Sequence, residues 1–150
     1  MKIYTRTLLK ISLCISLCFM SGCGKKSMKD PNEKFGLASY YELVEKGSHG
    51  NITEPKTIIV NEPSELEELY VIINSTRRPG LEIPQIDFKD EVVIAVSAGQ
   101  KDHGGYDIKL IKVEDSEEFR DFYFEIVPPA PDAPVTMAIC SPFLIIKTQR

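Results

Sequence analysis

Val92-Val93-Ile94-Ala95-Val96 is an apolar, β-branched run with no polar residue at alternate positions. A strand with one wet face alternates, so this one is expected to be covered on both faces and to lie centrally in a sheet. It ends at Gly99. Beyond the polar turn Gln100-Lys101-Asp102-His103-Gly104-Gly105 the chain resumes with Tyr106, Ile108 and Leu110 alternating with Asp107 and Lys109, which predicts a strand pairing antiparallel with the run before it. The phase then changes at Ile111 and Val113 around Lys112, the mark of a β-bulge or of a strand passing between layers.

Outward from this centre, Phe122, Phe124 and Ile126 alternate as an aromatic strand, and Phe143-Leu144-Ile145-Ile146 supplies a closing one. Upstream, residues 37–46 and Thr57-Ile58-Ile59-Val60 read as two more. Leu66, Leu69, Tyr70 and Ile73 recur at i, i+3, i+4 and i+7, one face of an amphipathic helix with Glu65 and Glu68 opposite. Ser64 and Glu67 have capping-box spacing at its start, and Arg77-Arg78-Pro79-Gly80 stops it. The order is β-β-α-β-β-β-β. The fold class expected is α+β, a mainly antiparallel, curved sheet of about six strands, barrel- or sandwich-like, with one helix.

The N-terminus reads as an address. Lys2, Arg6 and Lys10 form a charged start, and Leu8 to Met20, apolar apart from Lys10, Ser12 and Ser16, is shorter than the ~20 residues of a membrane span and leads through Ser21-Gly22 to Cys23. This resembles a bacterial lipobox. It predicts a signal peptide over 1–22, lipidation at Cys23, a polar tether over 23–34 and a single domain over 35–150, held on the extracytoplasmic side of a bacterial membrane. Lys25, Lys26 and Lys29 suit a solvated tether beside anionic head groups.

The whole chain has a net charge of −4. Residues 1–22 hold three bases and no acid, and 23–34 hold four bases and two acids, which leaves eleven bases against twenty acids, or −9, in 35–150. Such a body repels phosphate backbones, so no nucleic-acid partner is expected. Cys14 and Cys18 leave with the signal and Cys23 is blocked by lipid, so Cys140 has no partner for a disulfide and reads as a small buried hydrophobe.

Signs of catalysis are few. The two histidines, His49 and His103, lie in glycine-containing turns, and the spacings of a metal site are absent, so neither a metal nor another cofactor is expected. Asp102, His103 and Asp107 are sequence neighbours without a further strong ligand. The acidic pairs Glu67-Glu68, Asp90-Glu91, Glu114-Asp115 and Glu117-Glu118 read as solvated surface, and no nucleophile motif is present. The expectation is a protein that is not an enzyme.

Two loops are the candidates for partner binding. Gly104-Gly105-Tyr106 joins a permissive backbone to an amphipathic ring. Pro128, Pro129, Pro131 and Pro134 stiffen the segment Val127–Pro134 into an extended form that binds at little entropic cost. Each has a plain structural reading as well, as turn and as connector.

Gln85-Ile86-Asp87-Phe88, Gly99, the turn Gly104-Gly105-Tyr106-Asp107-Ile108, the proline loop and Ser141-Pro142-Phe143 together resemble the C-terminal domain of the protease-complex subunit PrcB family, over roughly residues 58–147. Phe143 stands where that family's pattern has tyrosine, and Glu114–Asp121 is unusually charged for it. The resemblance implies a noncatalytic lipoprotein subunit that binds or stabilises a surface protease, and it brings no catalytic residues. Other readings of the same chain are a protease inhibitor or regulator presenting the loop 128–134, and a small-ligand binder with a cleft near Tyr106.

Overall fold

The computed structural model describes residues 40–116 and 119–150; the expected signal peptide over 1–22, Cys23 and the expected tether over 23–34 lie outside them. Seven elements follow in the expected order, namely β1 (Glu42–Gly47), β2 (Pro55–Val60), α1 (Pro63–Ile73), β3 (Glu91–Ala98), β4 (Asp107–Asp115), β5 (Arg120–Val127) and β6 (Phe143–Gln149). They make two antiparallel sheets, a four-stranded one ordered β1-β6-β3-β2 and a two-stranded ribbon, β4-β5. The four-stranded sheet does not close into a barrel.

Strand β3 is central and covered on both faces, as its lack of alternation requires. Side chains alternate across a strand, so Val93 and Ala95 pack with Leu66, Leu69, Tyr70 and Ile73 of α1, while Ile94, Val96 and Ala98 pack on the other side with Ile108 of β4 and, half-buried, Phe122 and Phe124 of β5. Strand β6 divides in the same way, Phe143 and Ile145 toward the helix and Leu144 and Ile146 toward the ribbon. Three layers result, helix on sheet on ribbon.

The pairing of β4 departs from expectation. Strand β3 takes β2 and β6 as neighbours, and β4 pairs only with β5. Adjacency in sequence loses to burial here, because pairing β4 in the plane of the sheet would leave Ile94, Val96, Leu144 and Ile146 without a cover. The phase change after Leu110 is a bulge, with the register shift between Leu110 and Lys112. Ile126, expected to join the aromatic core, is 37% exposed.

Leu66, Leu69, Tyr70 and Ile73, the expected apolar face of α1, are all buried, but its start is built differently from the capping box. Glu62 is the N-cap without a side-chain cap, Pro63 opens the first turn, and the Glu65 carboxylate reaches back to accept from the Asn61 N–H at 2.7 Å. The helix also stops at Ile73, ahead of Arg77. Asn51 is the reason. From a left-handed backbone (φ 56°) its amide donates to the Ile73 carbonyl at 2.9 Å and the Ile72 carbonyl at 3.2 Å, satisfying acceptors that a helix end leaves open.

Candidate functional site

Beyond β3 the chain is pinned against the long connection from β5 to β6. Lys101 and Cys140 exchange both backbone hydrogen bonds, at 2.8 and 3.0 Å, and the Gly104 N–H donates to the Thr136 carbonyl at 2.8 Å. Gly105, at φ 90°, lies so close to this loop that a Cβ there would stand 2.9 Å from Pro129 Cβ. Gly105 thus permits close approach between two segments of this chain, and the backbone of the loop is held over Gly104 and Gly105.

Three of the four prolines join Tyr106 in one cleft. Tyr106, Pro128, Pro129 and Pro131 line a space of about 260 Å³ together with His103, Ala130, Ala133 and Val135. Pro134 is exposed and outside the lining. The His103 and Tyr106 rings stack at a tilt, 5.1 Å between centroids, and the Lys101 ammonium sits 5.4 Å over the Tyr106 ring. His103 Nδ1 is bonded to the Gly104 carbonyl at 2.9 Å. No carboxylate is among the residues lining this cleft, and His103 and Tyr106 are its titratable side chains.

The proline segment is not extended throughout. The Ala133 N–H donates to the Ala130 carbonyl at 2.9 Å, which closes a turn over Pro131-Asp132. Proline's fixed φ suits the second position of such a turn as well as it suits an extended form, and the turn brings Ala133 back toward Tyr106.

Cys140 is buried, and its thiol donates to the His103 carbonyl at 3.1 Å. Burial raises its pKa, with Lys101 opposing, so the thiol stays protonated and fills space as the sequence suggested. Asp107 pairs with Lys46 at 2.6 Å, away from any joint role with Asp102 and His103. Among the described residues no group of three His, Cys, Asp or Glu side chains converges as a metal would need. Of the acidic pairs, Glu114 is bonded to Lys112 and accepts from the Tyr123 hydroxyl at 2.7 Å; these bonds lower its pKa, Lys112 foremost.

Sequence reasoning missed the apex of the loop. Between the pins at Thr136 and Cys140, Met137 is 86% and Ile139 63% exposed. Val135–Cys140 has the composition of a buried strand, and no local signal marks it as outward. Only the two clamps on Lys101 and Gly104 turn it out.

Residues 92–149 match the family described as PrcB C-terminal. This is the family whose pattern the sequence resembles, and the PrcB C-terminal match spans β3 to β6, both pinned loops included. Strand β2 and helix α1, which the resemblance also took in, lie before it. No curated protein and no solved structure matches the chain.

Proposed function

We propose that this chain is a lipid-anchored interaction module of the bacterial cell envelope, a noncatalytic subunit or stabiliser of a surface protease complex. The observation that carries this reading is the clamped apex, where two large apolar side chains are held out on a backbone already bonded at both ends. A preordered apolar prong loses little entropy on docking, which favours a protein partner with an apolar pocket. The PrcB C-terminal match over the same segment supports a protease complex as the setting. Cys23 is the anchor in this reading, with palmitate among its acyl chains, and residues 24–34 are the tether. Anchoring raises the local concentration of the module beside other envelope proteins, so a modest interface suffices.

Crosslinked capture from membranes with the full lipidated chain tests it. The expected result is a co-purified protease whose activity is retained, lost from the capture when Met137→Asp and Ile139→Asp are combined. Those positions are exposed, so the unfolding midpoint should stay unchanged. Capture that yields no protease sinks the assignment, and capture indifferent to the double variant sinks the surface. Cys23→Ala is expected to release a domain that still folds.

The turn at Ala130–Ala133 and the Gly104–Thr136 bond also suit the inhibitor reading, since both preorder the loop for insertion into a groove. That reading predicts dose-dependent inhibition of the captured protease, abolished by replacing residues 128–134.

A further inference from the structure

At the other end of β3, outside the matched segment, lies a second apolar surface of different charge. The Asn74 amide clasps Leu81, accepting from its N–H at 2.7 Å and donating to its carbonyl at 2.9 Å. This fixes the connector that follows, and the chain then runs along the flank of α1 to Phe88. Between them is a groove of about 430 Å³, bounded by Pro63, Leu66 and Glu67 on the helix and by Ile83, Ile86 and Phe88 on the connector. Ile86 and Phe88 pack into the core and form a fixed floor, whereas Ile83 is 46% exposed. Val71, one helical turn beyond Glu67, extends the apolar flank at 70% exposed.

The rim is acidic. Glu67 lines the groove, and Glu82 and Asp87 stand exposed beside Ile83 and Ile86. Helix α1 carries no Lys or Arg, and from Asn61 to Glu91 eight carboxylates stand against three cations, Arg77 and Arg78 past the helix end and Lys89 beside Phe88, with Glu91 paired to Lys147. An apolar floor under a negative rim selects by both terms. It repels anionic segments and lipid head groups, and it attracts a chain that places apolar anchors between lysines or arginines.

We propose that this groove is a docking site for a basic, amphipathic peptide segment of a partner protein. It is independent of the prong at Met137 and Ile139, from which it is separated by the length of β3, about 23 Å for eight residues at strand rise. Two surfaces at opposite ends of one central strand would let the module hold two proteins at once.

The test uses the full chain in detergent micelles and a fluorescent array of twelve-residue peptides. Each peptide has Leu or Ile anchors separated by Lys, and a counterpart with Glu at every Lys. Lys peptides are expected to bind, to weaken as salt rises, and to lose at least tenfold in affinity on the Glu67→Lys/Glu82→Lys variant and on Ile83→Asp. Glu peptides should gain on the charge-reversed variant. All three positions are exposed, so the unfolding midpoint should not move. Failure of every Lys peptide to bind, or affinity unchanged by these substitutions, overturns the proposal. So does binding that emerges only after residues 24–34 are removed, with Lys25 or Lys26 crosslinking to Glu67 in the intact chain, since the groove would then belong to the protein's own tether.

Discussion

Gly104 and Thr136, on loops that follow different sheets, share a backbone hydrogen bond of 2.8 Å, and beside it Gly105 leaves no space for a side chain against Pro129. The two glycines therefore answer differently to the same substitution. Gly105→Ala forces a Cβ to within 2.9 Å of Pro129 Cβ at φ 90°, and a loss of roughly 1–3 kcal/mol is expected. At Gly104 the nearest atom to an added Cβ is 3.4 Å away, an ordinary contact, and Gly104→Ala should stay within about 0.5 kcal/mol. Urea unfolding measures both, and amide exchange at Gly104 shows whether the loop has come loose.

Cys140 should behave as packing. With its pKa raised by burial, the thiolate is scarce near neutral pH, and the thiol is reached only when the Lys101–Cys140 pairing opens. Mass-resolved labelling of Cys140 is expected to be slow in the native protein and fast in urea. Cys140→Ala should cost about 1–2 kcal/mol and leave partner capture intact. Rapid native labelling at neutral pH would contradict this account.

Alkaline pH should unfold the protein early. Tyr70 is buried under the sheet, and that burial, with the Glu45 charge second, pushes its pKa to about 12 from 10.0. Below pH 10 both folded and unfolded phenols keep the proton and nothing changes. Between 10 and 12 the unfolded chain releases it first, so stability falls across that window by roughly 2–3 kcal/mol. Lys147 acts in the same direction. Its hydrogen bonds to Glu91 and then Glu42 raise its pKa, a contribution complete below the unfolded lysine pKa and lost above it. Tyr70→Phe should remove the tyrosine part of the slope and leave the lysine part, as stability curves at pH 9 and 11.5 would show.

Asn74 should be worth more than its place past a helix end suggests. Asn74→Ala strands the N–H and carbonyl of half-buried Leu81, at an expected cost of about 1–3 kcal/mol. Faster amide exchange at Leu81 and weaker binding of Lys peptides in the groove should accompany the loss, because the connector wall would no longer be fixed.

Periodicity carried most of the fold. The seven elements, the buried face of α1, the bulge after Leu110 and the central position of β3 were all legible, because each is written in the spacing of apolar residues along one short segment. Features that depend on a distant partner were not. Ser64 and Glu67 look like a cap, yet Pro63 starts the helix and Asn51, from another loop, closes its end. Strand β4 follows β3 in sequence, yet pairs with β5, since the sheet needed a cover more than a fifth strand.

The candidate loops divide along the same line. Sequence alone chose Gly104-Gly105-Tyr106 and the prolines, because glycine and proline restrict or free the backbone whatever surrounds them. That Tyr106 and three prolines share one cleft, that Pro131 turns instead of extending, and that Met137 and Ile139 point outward were decided by tertiary structure. Exposure is a property of what lies beyond a side chain. For Val135–Cys140, apolar throughout save Thr136, only the bonds from Lys101 and Gly104 determine which residues reach the solvent.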